Sequence, residues 1–95
     1  MPPRLSRKKM IEEYEKRFKH VMSILSYIND DRTTPRNIRR AAKEALSILT
    51  ITDQSHAVRA AQAINILDDI SQDSNMPAYT RTRIWNIVSL LEVVK

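Results

Sequence analysis

Two histidines, His20 and His56, are the only side chains of this sequence that ordinarily titrate near neutral pH. The chain has no cysteine to act as a nucleophile or thiolate ligand, and no glycine to form a phosphate-binding loop. A zinc site usually has four protein ligands, or three and a water, and neither histidine has a partner at ligand spacing. We therefore expect no catalytic residue and no zinc site, with His20 on the surface and His56 near Asp53 at a helix start.

The strongest metal candidate is the acidic group Asp68, Asp69 and Asp73. Asp69 and Asp73 are four residues apart, so they could share a helix face and offer oxygen ligands to Mg²⁺ or Ca²⁺. Carboxylates near a helix end more often meet solvent or an arginine, and Arg81 is the candidate partner here. We therefore predict no metal and no cofactor.

The stretch "TTPRNIRRAAKEAL" contains a candidate cationic face formed by Arg36, Arg40 and Lys43. Their spacing places them on one face of a helix, away from its apolar stripe. Cations in the first turns of a helix are disfavoured by the positive end of its macrodipole unless a negative group lies nearby, such as a phosphate or an acidic partner. The alternative is a solvated charged surface that keeps a small protein soluble.

The chain has a formal net charge of +5, and its positive excess lies in the first half. Residues 1–43 hold 12 Lys/Arg against 5 Asp/Glu, whereas residues 44–95 hold 4 against 6. A basic half attracts acidic partners, of which nucleic acid is the most abundant. The basic residues that precede the first predicted helix stripe are Arg4, Arg7, Lys8 and Lys9.

Tyr79 and Trp85 form a candidate protein interface, because tryptophan, tyrosine and arginine are over-represented among interface hot spots. The alternative for Trp85, the only tryptophan, is that its ring covers one end of a hydrophobic core.

Hydrophobic periodicity predicts four helices that would position these residues. The first carries a stripe at spacings of three and four residues, formed by Ile11, Tyr14, Phe18, Val21, Leu25 and Ile28. Thr34 and Pro35 are predicted to be the N-cap and the first residue of the second helix, which runs to about Leu49. The third helix, from about Gln54 to Ser71, is apolar around most of its circumference, and its predicted core positions are Val58, Ala61, Ile64, Leu67 and Ile70. The fourth begins at Pro77.

The chain also matches itself at an offset of 42 residues, with eight identities in the 26 positions from Ile24 to Leu49. This match predicts two related helical hairpins. In each copy an aspartate stands eight residues before an arginine, with the helix-starting proline between them. We predict that Asp31 with Arg39, and Asp73 with Arg81, form structural ion pairs.

The strings "DRTTPRNIRRAAKEAL", "VRAAQAINILDDISQDSNMP" and "RTRIWNIVSLLE" resemble a family of small, uncharacterised archaeal proteins of about this length. The resemblance covers nearly the whole chain from the first helix onward. It implies a compact four-helix bundle, and it implies no activity, cofactor or binding residue.

We therefore expect an all-α, up-and-down four-helix bundle built from two related hairpins. Residues 1–9 are a basic N-terminal segment whose order stays open, and residues 10–95 are a single domain. We expect a non-enzymatic, cytoplasmic protein without a membrane span that serves as a protein-interaction or scaffold module. Its partner is another protein or a second copy, since the heptad spacing of helix one permits pairing with itself. The alternative is an RNA- or DNA-associated protein that binds phosphates through its basic face.

Overall fold

The computed structural model describes residues 6–95, which form four α-helices joined by short loops. α1 spans Arg7–Asp30, α2 Arg36–Thr50, α3 His56–Ile70 and α4 Ala78–Glu92. Short connections make successive helices antiparallel. Each helix packs against the next, and α4 closes the ring against α1. The prediction of an all-α, up-and-down four-helix bundle is confirmed.

Serine side chains start the two helices that open the hairpins. Ser6 Oγ accepts a hydrogen bond from Lys9 N, and Ser55 Oγ accepts one from Val58 N, each at 3.2 Å. These bonds satisfy amide groups that have no partner within the helix. Residues 7–9, which we assigned to the N-terminal segment, form the first turn of α1. Arg4 lies outside the described residues.

Prolines precede the other two helices. Pro35 and Pro77 have φ of −55° and −59° with extended ψ of 149° and 145°, so they are N-caps and the helices begin one residue later. Our assignment of Thr34 as the N-cap and Pro35 as the first helical residue is therefore wrong by one position. An extended ψ at the proline turns the chain before the helix starts, and Thr34 is buried in that turn.

The helix ends reflect the absence of glycine, which is the usual residue for a left-handed C-terminal cap. No residue of 6–95 has positive φ. The residues that follow α1 and α2, Asp31 and Ile51, have extended backbone, whereas those that follow α3 and α4, Ser71 and Val93, keep right-handed helical angles. The loops must therefore be shaped by side-chain hydrogen bonds and proline.

The stripe of α1 enters the core only from its third turn. Phe18, Val21, Leu25 and Ile28 are almost fully buried, and Tyr14 is half-buried. The expectation that Ile11 also packs in the bundle is wrong, since 42% of its surface is exposed. α1 has 24 residues and each other helix has 15, and residues 7–13 in its first two turns are all exposed.

The core face of α3 differs from the predicted one. Leu67 is buried as predicted, but Val58 and Ala61 are exposed, and Ala60 and Ala63 face the core instead. The predicted core positions Ile64 and Ile70 are half-buried. A helix that is apolar around most of its circumference can bury several faces, so periodicity alone does not fix its rotation. Turning the alanines inward lets the neighbouring helices approach closely.

Candidate interaction surfaces

The predicted cationic face on α2 is present. Arg36, Arg40 and Lys43 are all exposed and lie opposite the buried stripe that includes Ile38 and Ala45. Within residues 6–95, none of the three has a carboxylate oxygen within 4.0 Å. The structure therefore brings these cations together on a surface where a negative partner could reach them.

The predicted ion pair between Asp31 and Arg39 is not formed in this structure. Asp31 Oδ1 instead accepts hydrogen bonds from Thr33 N at 2.9 Å and Thr33 Oγ1 at 2.7 Å. Arg39 Nε donates to the backbone carbonyl of Thr34 at 3.0 Å. In a loop without glycine, the carboxylate folds back onto nearby backbone N–H groups, which leaves the arginine to satisfy a loop carbonyl.

The loop between α3 and α4 makes the same arrangement 42 residues later. Asp73 Oδ1 accepts from Asn75 N at 2.8 Å, and Asp73 Oδ2 accepts from Asn37 Nδ2 of α2. Arg81 Nη2 donates to the backbone carbonyl of Asp73 at 2.8 Å. The predicted carboxylate–guanidinium pair is again replaced by a hydrogen bond to backbone. In both loops the aspartate and the arginine bond to loop groups and not to each other.

Hydrogen bonding shifts the pKa of the Asp31 carboxyl although this group is accessible to solvent. The side chain and backbone N–H of Thr33 both donate to its carboxylate, and Arg83 adds a smaller attraction; together they lower the pKa of Asp31 below its ordinary value. The carboxylate is therefore held ionised as part of the first loop.

The predicted aromatic interface divides into two separate surfaces. Tyr79 and Trp85 are 49% and 56% exposed, so Trp85 does not cover the core. They are six positions apart, which places them about 120° from each other around α4 at 100° per residue, so the rings do not share a face.

Tyr79 belongs to a cluster that the sequence analysis missed. The Arg83 guanidinium carbon lies 4.6 Å from the ring centroid of Tyr27 on α1 and 5.5 Å from that of Tyr79. Tyr27 is 59% exposed, and the hydroxyl of Tyr79 lies 3.4 Å from Thr33 Oγ1. The four-residue spacing of Tyr79 and Arg83 was the available signal, but no pattern joined Tyr27 on α1 to them. We call Tyr27, Tyr79 and Arg83 the aromatic cluster.

A buried arginine, Arg59, is a second feature that sequence reasoning missed. It is 5% exposed, its Nη1 donates to the Leu49 carbonyl at 3.0 Å, and its guanidinium lies 5.1 Å from the Phe18 ring centroid. Its Nε has no hydrogen-bond partner in the described part of the chain. Arg17, 42 residues earlier, donates Nη1 to the Leu90 carbonyl at 3.4 Å. Both arginines thus satisfy a carbonyl in the last turn of a helix.

The two histidines lie in different surroundings. His56 Nε2 lies 2.7 Å from Glu15 Oε1, and its ring packs near Tyr14 and Phe18, whereas His20 is exposed. No group of three metal-ligating side chains comes together in this part of the chain. Across the same residues, no helix is both long enough and apolar enough to cross a bilayer.

The sequence model of an uncharacterised protein family, UPF0147, matches residues 5–94. The chain belongs to the UPF0147 family. This confirms the resemblance to a small archaeal family that the sequence strings indicated. UPF0147 is uncharacterised, so membership assigns no activity or binding residue.

Relatives and solved structures extend the match. The UPF0147 protein of Sulfurisphaera tokodaii is 53% identical over 81 residues, covering 85% of this chain and 91% of the relative. That of Aeropyrum pernix is also 53% identical over 81 residues, with 85% and 89% covered. The crystal structure of the unknown function protein MMP1188 has a TM-score of 0.83 at 46% identity and covers 99% of both chains. A UPF0147 structure from Thermoplasma acidophilum has a TM-score of 0.82 at 31% identity, covering 88% of this chain and 99% of that one.

Proposed function

We propose that this chain is a non-enzymatic protein-interaction module that docks a partner through the aromatic cluster. The observation that carries the proposal is the exposed stacking of Arg83 with Tyr27 and Tyr79. Tyrosine and arginine supply large contact areas at hot spots. Because the cation–π contacts already order these side chains, binding costs less conformational entropy than it would for free side chains.

The test is affinity capture from native lysate, with and without nuclease, using the tagged natural chain and three variants. We expect a protein partner that remains after nuclease and at moderate salt, and that is lost from both Tyr79→Ala and Arg83→Ala. Trp85→Ala is the matched control, because it removes an equally exposed aromatic ring from a different face of α4. Circular dichroism checks that each variant stays folded. A partner retained by both cluster variants and lost from Trp85→Ala would assign docking to the other face.

A second candidate function is phosphate binding to RNA or DNA through the cationic face of α2. The favouring observation is that Arg36, Arg40 and Lys43 are exposed and that none has a carboxylate within 4.0 Å in residues 6–95. Such binding weakens steeply with salt, and removing one phosphate-contacting cation lowers the log–log slope by about one.

Titration with a mixed-sequence oligonucleotide at several salt concentrations tests this candidate. Arg40→Ala should reduce the slope. Lys16→Ala is the control, since Lys16 Nζ lies 3.8 Å from Glu13 Oε1 and already has a counter-charge. Equal slopes for the natural chain and Arg40→Ala would reject the cationic face as a phosphate site.

A further inference from the structure

Arg83 differs from the other enclosed arginines in what its N–H groups contact. Within residues 6–95, the other buried or half-buried arginines each donate to a backbone carbonyl oxygen; they are Arg17, Arg39, Arg59 and Arg81. Arg83 is half-buried as well, but it donates to no group in this range, and no carboxylate oxygen there lies within 4.0 Å of it. Its donors are therefore available to a partner.

The nitrogen atoms of Arg83 reach the surface. Buried nitrogens without a hydrogen-bond partner occur in the described chain at Nε of Arg59 and Nε of Arg81, and none belongs to Arg83. What encloses Arg83 is its contact with the rings of Tyr27 and Tyr79. The guanidinium is thus ordered by the rings, while its N–H groups remain accessible.

A carboxylate is the group that such an arginine binds best. The guanidinium is a planar fork of N–H donors, and it matches the two oxygens of a carboxylate with two parallel hydrogen bonds. The exposed parts of Tyr27 and Tyr79 stand on α1 and α4, at either side of the seam between these helices. A ligand that fits offers one carboxylate to Arg83 and apolar or aromatic surface to both rings.

We propose that the aromatic cluster recognises an acidic side chain, aspartate or glutamate, inside a continuous segment of a partner protein. This inference rests on the proposed function, since it names the chemistry of the partner that docks there. The carboxylate accepts two hydrogen bonds from Arg83, and the partner residues before and after it cover Tyr27 and Tyr79. A carboxylate at a chain end has residues on one side only, so it would leave one ring uncovered.

Charges beside the cluster favour a single carboxylate over a polyanion. Asp30 and Asp31 follow Tyr27 within four residues, and the charges of Asp31 and Arg83 attract each other. A nucleic acid carries many phosphates in succession, so its neighbouring phosphates would be repelled by these two carboxylates. One acidic side chain between uncharged residues avoids that repulsion.

Selection from a random peptide library displayed on phage tests the inference, with the natural chain as bait. The displayed peptides are joined to the coat protein at their carboxyl end, so an enriched acid must be a side chain. We expect one aspartate or glutamate at a fixed position beside apolar or aromatic residues. A selected peptide is then synthesised with both ends blocked, and fluorescence anisotropy measures its Kd.

Substitutions at Arg83 separate the fork from the charge. Arg83→Lys keeps the charge without the fork, and Arg83→Gln removes both; each should raise the Kd of the peptide by about tenfold or more. Arg83→Glu should prefer the peptide in which lysine replaces the acid. The matched control is Arg40→Gln, which removes an exposed arginine from α2, diagonally across the bundle from α4, and should leave the Kd unchanged. Circular dichroism verifies that each variant is folded.

The outcomes distinguish this inference from the proposed function. Binding that is lost from Tyr79→Ala but kept by Arg83→Lys and Arg83→Gln would overturn carboxylate recognition and leave docking at the aromatic cluster intact, as would selected peptides without an acid. Peptides that bind independently of both Tyr79 and Arg83 would contradict the inference and the docking site together. A mixed-sequence oligonucleotide that displaces the peptide and shifts the NMR signal of Arg83 Nε–H would assign the cluster to phosphate instead.

Discussion

Replacing Arg59 tests whether an arginine with no carboxylate partner can stabilise a helix bundle. Its guanidinium is enclosed among α1, α2 and α3, where it bonds the Leu49 carbonyl at 3.0 Å and faces the Phe18 ring. No carboxylate in residues 6–95 lies within 4.0 Å of it. Desolvation of the charge therefore opposes the hydrogen bond and the cation–π contact.

The favourable contributions should exceed the cost of desolvation. A hydrogen bond from a charged donor contributes about 1.5–3 kcal/mol, and a desolvated cation–π contact contributes about 2 kcal/mol. Removing them also relieves the unfavourable burial of the guanidinium and its unpaired Nε. We expect Arg59→Ala to lower the free energy of unfolding by about 2–3 kcal/mol, or Tm by about 10–20 °C for a domain of this size.

The matched control is Arg17→Ala, which removes the equivalent bond 42 residues earlier. Arg17 is only partly buried and its bond to the Leu90 carbonyl is longer, at 3.4 Å, so we expect a loss below about 1 kcal/mol. Urea titrations of both variants and of Arg59→Met, followed by circular dichroism, measure the three losses. An Arg59→Met variant as stable as the natural chain would refute the reasoning, because it would show that desolvation cancels the polar contacts.

Two further predictions concern the loops. The lowered pKa of Asp31 means that its ionised form contributes stability above the ordinary aspartate value of 3.8, and that this contribution is lost as the pH falls through the lower, folded-state pKa. The difference in Tm between the natural chain and Asp31→Asn should therefore shrink on acidification below about pH 4, and a constant difference would contradict it. Pro35→Ala and Pro77→Ala should each lower the free energy of unfolding by about 0.4–1 kcal/mol, because the unfolded chain gains freedom. Urea titration measures the loss, and a stability gain in either variant would show that the proline strains the native turn.

The helices and their order could be predicted because their signals are local. Alternating spacings of three and four residues define the α1 stripe, and proline marks the starts of α2 and α4 to within one residue. The cationic face of α2 followed from the same periodicity, since residues at fixed helical spacing must share a face. Each of these inferences needs only the geometry of one helix.

The features that could not be predicted depend on contacts between helices. The stacking of Arg83 with Tyr27 requires α4 to lie beside α1, which no local pattern reveals. The sequence does not show that Arg59 faces the core, because α3 is apolar on several faces. We predicted that the carboxylates of Asp31 and Asp73 would pair with arginines. They bond to backbone N–H groups of their own loops instead, and those bonds depend on the loop conformation, which the sequence does not reveal.

The two carbonyl-binding arginines each link one hairpin to the other. Arg59 of the second hairpin bonds the end of α2 in the first, and Arg17 of the first bonds the end of α4 in the second. Neither half alone contains the arginine that completes its own closing helix. Two peptides divided in the loop between α2 and α3 should consequently be poorly helical when separate and regain helix when mixed. The intact bundle should unfold in one cooperative transition, without a half-folded intermediate.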